Sequence, residues 1–449
     1  MRQTKKLLQE LNCRCIRGEL PREVKQVAYD SRNVEPGGLF VCIRGSRQDG
    51  HAFIREAVER GAVVILTEKG AWKEDNSSQE AAKQQKYCVL ETPDTRAALA
   101  SIARQWFDNP QEKLKIIGVT GTKGKTSTAW MIWKMFTAAG QKSGLIGTIE
   151  VCYDTWQQKI RNTTPESYEL YEILRKMVDH GCQYVVMEVS SQALKLHRVN
   201  GIMFDAAVFT NLREDHIGAG EHADFAEYMA CKQRLFCQCR TGIFNQDDPY
   251  WQEMWRGSSC ERVFTYGFSR QADYCADRVQ LLRGSDRLGV QYHLNRYRTG
   301  KNQGEMEAAS ENSWNVVVNA PGKFSIYNSL AAISVAEQYQ IPEEALHTLQ
   351  VPGRIEMLPV SPRFIVIVDY AHNAMALDAL LRTLRDYHPG RIICIFGCGG
   401  NRAAERRFQM GEVAGRLADL VVVTTDNPRE EDPEKIADEI CLGLEAAKG

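Results

Sequence analysis

The sequence predicts an α/β protein in three parts, built on a central doubly wound parallel sheet of P-loop type. Three observations carry that prediction. The run KIIGVTGTKGKTSTAW reads as an apolar strand, a glycine-rich turn and a helix start. Strand-like and helix-like segments alternate from about residue 99 to 351. A second alternation begins after Val351-Pro352-Gly353.

At ~100–200 residues per domain, a chain of 449 residues holds two to four domains. Residues 1–98 form the first. GGLFVCIRG and GAVVILTE are short apolar strands, and HAFIREAVERG between them has helical spacing ending at a glycine. Ahead of them, MRQTKKLLQELNCRC reads as an amphipathic helix with no signal-peptide apolar stretch.

Residues 99–351 form the second domain. Its strands are KIIGVTG, KSGLIGT, QYVVMEVS, DAAVFTN and TGIFNQDD, with helices over 125–139, 166–180 and 224–238. From 260 to 320, RVFTYGF, RVQLLRG, GVQYHLN and WNVVVNA predict an appended antiparallel sheet, and TGKNQGEMEAASENS (299–313) predicts a surface loop. Residues 352–449 form the third domain, with strands RFIVIVDY, GRIICIFG and LADLVVVTTD and helices between them.

Composition narrows the function. Hydrophobic residues at 43% and charged residues at 25% are those of a soluble globular protein. A net charge of −1 gives no electrostatic case for nucleic acid or an anionic membrane. No apolar run reaches the ~18 residues of a membrane span, so a cytoplasmic protein is expected. The 14 cysteines are scattered, many in apolar runs, which predicts buried free thiols. Cys231, Cys237 and Cys239 beside His222 fit no standard zinc spacing.

The nucleotide loop is the strongest local signal. Glycines let a backbone approach phosphates, and the amides of a helix N-terminus bind anions. Lys125 is placed to neutralise the β- and γ-phosphates of a bound nucleotide, and Thr126 to ligate Mg²⁺. Val119 stands where the strict P-loop pattern has its first glycine.

Other motifs follow in order: Tyr29-Asp30-Ser31-Arg32, Asn162-Thr163-Thr164-Pro165, MEVSSQALKLHRV, FTNLREDH, YMACKQRLF, DYAHN, GCGGNR and DNPR. Together with TGTKGKT they resemble the Mur ligase family, its MurE branch above all, from about residue 29 to 432. The resemblance implies the three-domain Mur ligase architecture with a Rossmann-like C-terminal domain. It implies an acid–amino-acid ligase that consumes ATP with Mg²⁺. The expected reaction adds meso-diaminopimelate to UDP-N-acetylmuramoyl-L-alanyl-D-glutamate through an acyl phosphate, in peptidoglycan precursor synthesis, by a monomer.

Residue roles carry over with it. The ATP site would be Gly121, Thr122, Lys123, Gly124, Lys125, Thr126 and Ser127, completed by Asn328, Arg354, Asp369, His372 and Asn373. Mg²⁺ would be held by Thr126, Glu188 and His216, with Lys232 contributing once carbamylated. Lys125, Glu188, His216 and Lys232 form the catalytic set. The UDP-substrate would meet Ser31, Asn162, Thr163, Thr164, Ser190 and Arg198. The incoming amino acid would meet Arg402, Asp426, Asn427 and Arg429, the last by a bidentate pair with its distal carboxylate.

Read alone, several of these are blander. Lys232 would be a surface lysine, His216 a surface histidine, Glu188 a solvated strand-end acid and DNPR a capping turn. Lys123, Gln192, Ser325 and Ala374 depart from the residues usual in the family, and IGAGEHADF from its DYHG-like segment. The family's GKGHE segment does not occur, so a shortened third domain with an uncovered sheet edge is expected. Two alternatives stand beside the main reading: a related ligase for L-lysine or another acceptor, and a Mur-ligase-like binding protein without catalysis.

Overall fold

The computed structural model describes residues 1–45, 48–73, 86–215, 217–218, 221–284, 287–297, 310–401 and 403–447. They form two compact units, Met1–Tyr266 with Ala331–Pro342, and Gly267–Leu330 with Glu343–Gly449. No described helix is long and apolar enough to cross a membrane.

The first unit opens with a five-stranded sheet. Its strands are β1 (Arg14–Arg17), β2 (Gln26–Ala28), β3 (Gly38–Val41), β4 (Val64–Glu68) and β5 (Cys88–Thr92), in the order β1-β5-β4-β3-β2. β2 to β5 are parallel, and β1 is antiparallel to β5. β3 is buried along its whole length, which is why GLFV carries no alternation. The helix expected at the N-terminus covers only Thr4–Leu8; Arg2–Gln3 pair instead with Glu23–Val24, and Arg14 and Cys15 enter β1, where strand pairing overrides helical spacing. Helix α1 (Thr95–Trp106) follows, capped by Asp94, whose carboxylate accepts from the amides of Arg96 and Ala97.

A second sheet runs through β6 (Lys115–Thr120), β7 (Ser143–Ile146), β8 (Val151–Tyr153), β9 (Trp156–Gln158), β10 (Tyr184–Glu188), β11 (Phe204–Phe209), β12 (Cys239–Asn245) and β13 (Arg262–Gly267). Their order is β9-β8-β7-β10-β6-β11-β12-β13, parallel from β7 to β13. The helices α2 (Lys125–Ala138), α3 (Ser167–Asp179) and α4 (Phe225–Gln233) join its strands. β6, first of the parallel strands in sequence, lies between β10 and β11. Connections therefore leave it in both directions, and a crevice opens at the carboxyl ends of these three strands, where ligands bind in this class of sheet.

Two expectations change here. RVFTYGF does not belong wholly to an antiparallel sheet: it is β13, and along its edge with β12 it pairs parallel, with Thr241 opposite Arg262. The crossover through the short helix Trp251–Trp255 returns the chain to the starting end of the sheet, and strand direction is not written in the alternation of side chains. The helix expected over 224–238 ends at Gln233, with only a 3₁₀ turn at Phe236–Gln238.

The second unit contains the antiparallel strands β14 (Tyr274–Arg283), β15 (Leu288–Tyr297) and β16 (Ser310–Val318). The expected loop 299–313 does not reach Ser313. Residues 299–309 lie outside the described ones, and the polar Ser310–Ser313 segment belongs to β16, recruited by its pairing with β15. Helix α5 (Lys323–Glu337) comes next, its residues from Ala331 belonging to the first unit, and the second unit continues with the hairpin β17 (Glu356–Ser361) and β18 (Phe364–Val368). An α/β layer ends the chain: α6 (Ala374–Arg385), β19 (Ile393–Phe396), α7 (Ala404–Leu417), β20 (Leu420–Val423) and α8 (Pro433–Ala446), with β19 parallel to β20. One face of β19 and β20 packs Cys394 and Val421 into the core, while Ile393, Ile395, Leu420 and Val422 on the other are exposed.

Candidate active site

The phosphate loop follows β6 directly. Gly121 has φ of 144°, and a Cβ there would fall 1.9 Å from the Thr210 hydroxyl, so no other residue fits. Val119 is a fully buried β6 residue, so it belongs to the strand and not to the loop. The end of β11 holds the loop's shape. The Asn211 side chain accepts from the Lys123 amide at 2.9 Å and donates to the Lys123 carbonyl at 3.0 Å. Thr210 donates to the same carbonyl at 2.7 Å. Lys123 departs from the loop surface to pair with Asp215 at 3.1 Å. Gly124 (φ 85°) starts α2, whose first turn contains Lys125, Thr126 and Ser127 and carries the amides that a helix cannot satisfy internally. The Lys125 amine lies across the loop, donating to the carbonyls of Gly121 at 2.9 Å and Thr122 at 3.1 Å.

Glu188 ends β10 with 1% of its surface exposed, so it is no solvated strand-end acid. Thr126 donates to its Oε2 at 2.9 Å. Octahedral Mg²⁺ holds oxygens at ~2.1 Å, which sets neighbouring ligands about 3.0 Å apart. The hydroxyl and carboxylate oxygens thus already stand at the edge length of such a site, and this donor set of hard oxygens fits the ion. Lys232, on α4, is 2% exposed; its amine donates to the Gly121 carbonyl at 2.9 Å and lies 4.5 Å over the Tyr228 ring. Burial, then the charge of Lys125, push its pKa well below that of an ordinary lysine. The surface-lysine reading is thereby overturned. His216 lies outside the described residues.

The expected UDP-substrate segment abuts the same carboxylate. Thr164 donates to the Glu188 backbone carbonyl at 2.8 Å and accepts from the Ser190 amide at 3.1 Å. Arg198 donates to the Thr164 carbonyl at 3.1 Å. Thr163 lies 3.0 Å from the Thr148 hydroxyl, and Asn162 is exposed. Glu166 takes Arg96 at 2.9 Å and Arg198 at 3.3 Å, a largely buried triad that fixes the Arg198 guanidinium. Ser31, in the turn after β2, is buried and donates to Glu56 at 2.8 Å. Its neighbour Tyr29 donates to Glu169, whose carboxyl pKa is raised by burial. Sequence reasoning missed Thr148, Arg96, Glu166, Thr210 and Asn211 as supports. Thr210 and Asn211 lie inside FTNLREDH and Glu166 directly follows Asn162–Pro165, whereas Thr148 and Arg96 carried no motif signal.

The remaining named residues fall in the second unit. Asn328 is 7% exposed on α5. The Arg354 guanidinium stacks 4.5 Å over the Tyr370 ring. Asp369 accepts from the amides of Ile355 at 2.8 Å and Ala371 at 2.7 Å, and burial raises its pKa. His372 is exposed, and Asn373 caps α6 by accepting from the Ala376 amide. Asp426, Asn427 and Arg429 are exposed in the turn after β20, and Arg429 has φ of 54°. Arg402 lies outside the described residues.

Arg407 ties the two loops that bear this last group. It is 2% exposed and donates to Glu431 at 2.9 Å, Glu439 at 2.7 Å and the Gly399 carbonyl at 3.4 Å. The Gly400 amide adds a bond to the Asn427 carbonyl at 2.8 Å. Replacing Arg407 by Met is expected to lower the melting temperature and, if these loops hold the amino acid as the resemblance implies, to reduce kcat/KM for it about 10- to 100-fold, since loop displacement would misplace that ligand. The Arg407 guanidinium holds Glu431 below the usual carboxylate range, so its stabilisation is present above about pH 4.3 and lost as pH falls through the depressed pKa. The variant should therefore lose part of the steepness of acid unfolding. An unchanged acid transition together with unchanged amino-acid kinetics would contradict this.

Comparison with known proteins bears on what this arrangement is. Sequence models described as "Mur ligase family, catalytic domain", "Mur ligase middle domain" and "Mur ligase, glutamate ligase domain" match residues 23–107, 119–336 and 353–448. A UDP-N-acetylmuramoyl-L-alanyl-D-glutamate--2,6-diaminopimelate ligase of Clostridium perfringens is 36% identical over 98% of this chain and 87% of its own length. The ligase of the same name from Syntrophomonas wolfei is 38% identical over 98% and 86%. A solved structure of a ligase of that name superposes with a TM-score of 0.67 at 25% identity, over 95% of this chain and 83% of that one. With three family models in sequence order and more than a third of residues shared along nearly its whole length, this chain belongs to the Mur ligase family.

Proposed function

We propose that this protein is an ATP-dependent ligase that adds meso-diaminopimelate to UDP-N-acetylmuramoyl-L-alanyl-D-glutamate. The observation that carries the proposal is the meeting of Lys125, Thr126, Glu188 and the buried amine of Lys232 at the carboxyl ends of β6 and β10, against Thr163, Thr164 and Ser190. Two hydrogen-bonded sets stand side by side there, one on the Gly121 carbonyl and one around Glu188, joined through the adjacent residues Lys125 and Thr126.

In this reading the free γ-carboxylate of the D-glutamyl residue attacks the γ-phosphorus of ATP. The bond to the bridging oxygen breaks and ADP leaves. The amino group of diaminopimelate attacks the acyl carbon, loses a proton, and phosphate departs with the acyl–oxygen electrons. Lys125 and the first-turn amides of α2 bind the transferring phosphoryl oxygens. Thr126 and Glu188, with His216, would hold Mg²⁺, which supplies charge neutralisation between carboxylate and phosphate. Lys232 would serve as a carbamate. Gly121 to Ser127 would bind the nucleotide, and the family resemblance assigns Asn328, Arg354, Asp369, His372 and Asn373 to the same ligand. Ser31, Asn162, Thr163, Thr164, Ser190 and Arg198 take the UDP-substrate. Arg402, Asp426, Asn427 and Arg429 take the amino acid. Residues 1–98, 99–351 and 352–449 would be the UDP-substrate, ATP and amino-acid domains of a cytoplasmic monomer.

The test is product mass after incubation with ATP, Mg²⁺ and the UDP-dipeptide, comparing meso-diaminopimelate, L-lysine and no amino acid. Tripeptide product with diaminopimelate alone is expected. Product with L-lysine instead would replace the acceptor, and absence of product with either would overturn the catalytic reading.

A further inference from the structure

Glu188 is gripped more closely than a cation ligand alone requires. Besides Thr126, the Thr148 amide donates to Oε1 at 2.6 Å and the Thr148 hydroxyl lies 3.2 Å from Oε2. Thr148 stands in the turn between β7 and β8, preceded by Gly147, where a Cβ would fall 2.5 Å from Oε1. The Gly147-Thr148 turn therefore wraps the carboxylate. The same Thr148 hydroxyl lies 3.0 Å from that of Thr163.

The direction of these bonds follows from chemistry. A carboxylate only accepts, so the single Thr148 proton points to Glu188. Its oxygen is left to accept, and Thr163 must donate. Protons are thus ordered from Thr163 through Thr148 to Glu188, and each bond polarises the next. A substrate that recruits the Thr163 hydroxyl removes a donor from Thr148 and changes how firmly Thr148 holds the carboxylate.

We infer that Thr148 is a positioning residue that couples the UDP-substrate segment at Thr163 to the cation ligand Glu188. The inference rests on the reading of Glu188 as a cation ligand. Thr148 is itself exposed, so its replacement opens no cavity in the core.

The experiment measures Mn²⁺ affinity by electron paramagnetic resonance, with melting temperature alongside. Thr148→Val keeps the amide bond to Oε1 and loses both hydroxyl bonds. Its Mn²⁺ dissociation constant is expected to rise about tenfold, as for other outer-shell partners. Thr148→Ser should restore it, with no change in melting temperature for either. Thr163→Val should weaken binding less, and adding it to Thr148→Val should cost nothing further, because its effect passes through Thr148. Wild-type affinity in Thr148→Val, failure of serine to restore, or additive losses in the double variant would each overturn the inference. Mn²⁺ binding left unchanged by Glu188→Gln would overturn the cation reading beneath it, a distinct outcome.

Discussion

Lys125→Ala is expected to lower ATP-dependent phosphate release about 10²- to 10³-fold, the usual loss when one preorganised donor to a developing negative charge is removed. The amine already lies over the phosphate loop, bonded to the carbonyls of Gly121 and Thr122, and needs only to exchange those carbonyls for phosphate oxygens. Lys123 is one residue removed from the helix start, but it is drawn away by its pair with Asp215 and is 45% exposed. It cannot take over the position of Lys125. Because Lys125 stands at the first turn of α2, where alanine is a good helix residue, the variant should keep its melting temperature. Steady-state phosphate release with all three substrates is the measurement. Activity within a few-fold of the unaltered protein would remove Lys125 from the reaction.

Removal of dissolved carbon dioxide and bicarbonate is expected to suppress the ligase reversibly, and Lys232→Met to suppress it about 10²- to 10³-fold without rescue by bicarbonate. The case lies in the surroundings of the amine. It is buried, shares the Gly121 carbonyl with Lys125, and has a pKa pushed down by burial and by that neighbouring cation. A neutral amine is a nucleophile. Its nitrogen bonds the carbon of carbon dioxide, a proton leaves, and a carbamate anion stands where two cationic side chains would otherwise repel each other. That product relieves the desolvation problem of the buried lysine by exchanging a disfavoured cation for an anion beside Lys125. Incubation with ¹³C-bicarbonate should give a carbamate resonance that Lys232→Met abolishes. No resonance, with full activity in degassed buffer, would show that Lys232 acts as a plain lysine.

What could be read from the chain alone was local. The glycines of TGTKGKT, the apolar run before them and the helix after them lie within a few residues of each other. Their meaning comes from backbone torsions and helix ends, which short segments determine by themselves. The order of the short motifs identified the family for the same reason. The extent of Thr4–Leu8, the parallel direction of β13 and the strand character of Ser310–Ser313 were decided by pairing with distant partners. The active site shows the difference most sharply. Lys232 reads as a surface lysine on its own helix, and only a bond to a carbonyl 111 residues away makes it a buried amine. Thr148 gave no signal, because its partner Glu188 is 40 residues on. Nothing in the sequence sets Arg407 apart from the other charges of α7; its pairs with Glu431 and Glu439 do. Torsional preference is a property of each residue and its neighbours, so the sequence carries it openly. Burial, and the pairing that burial enforces, belong to whichever segments the fold brings together, and only the tertiary structure decides them.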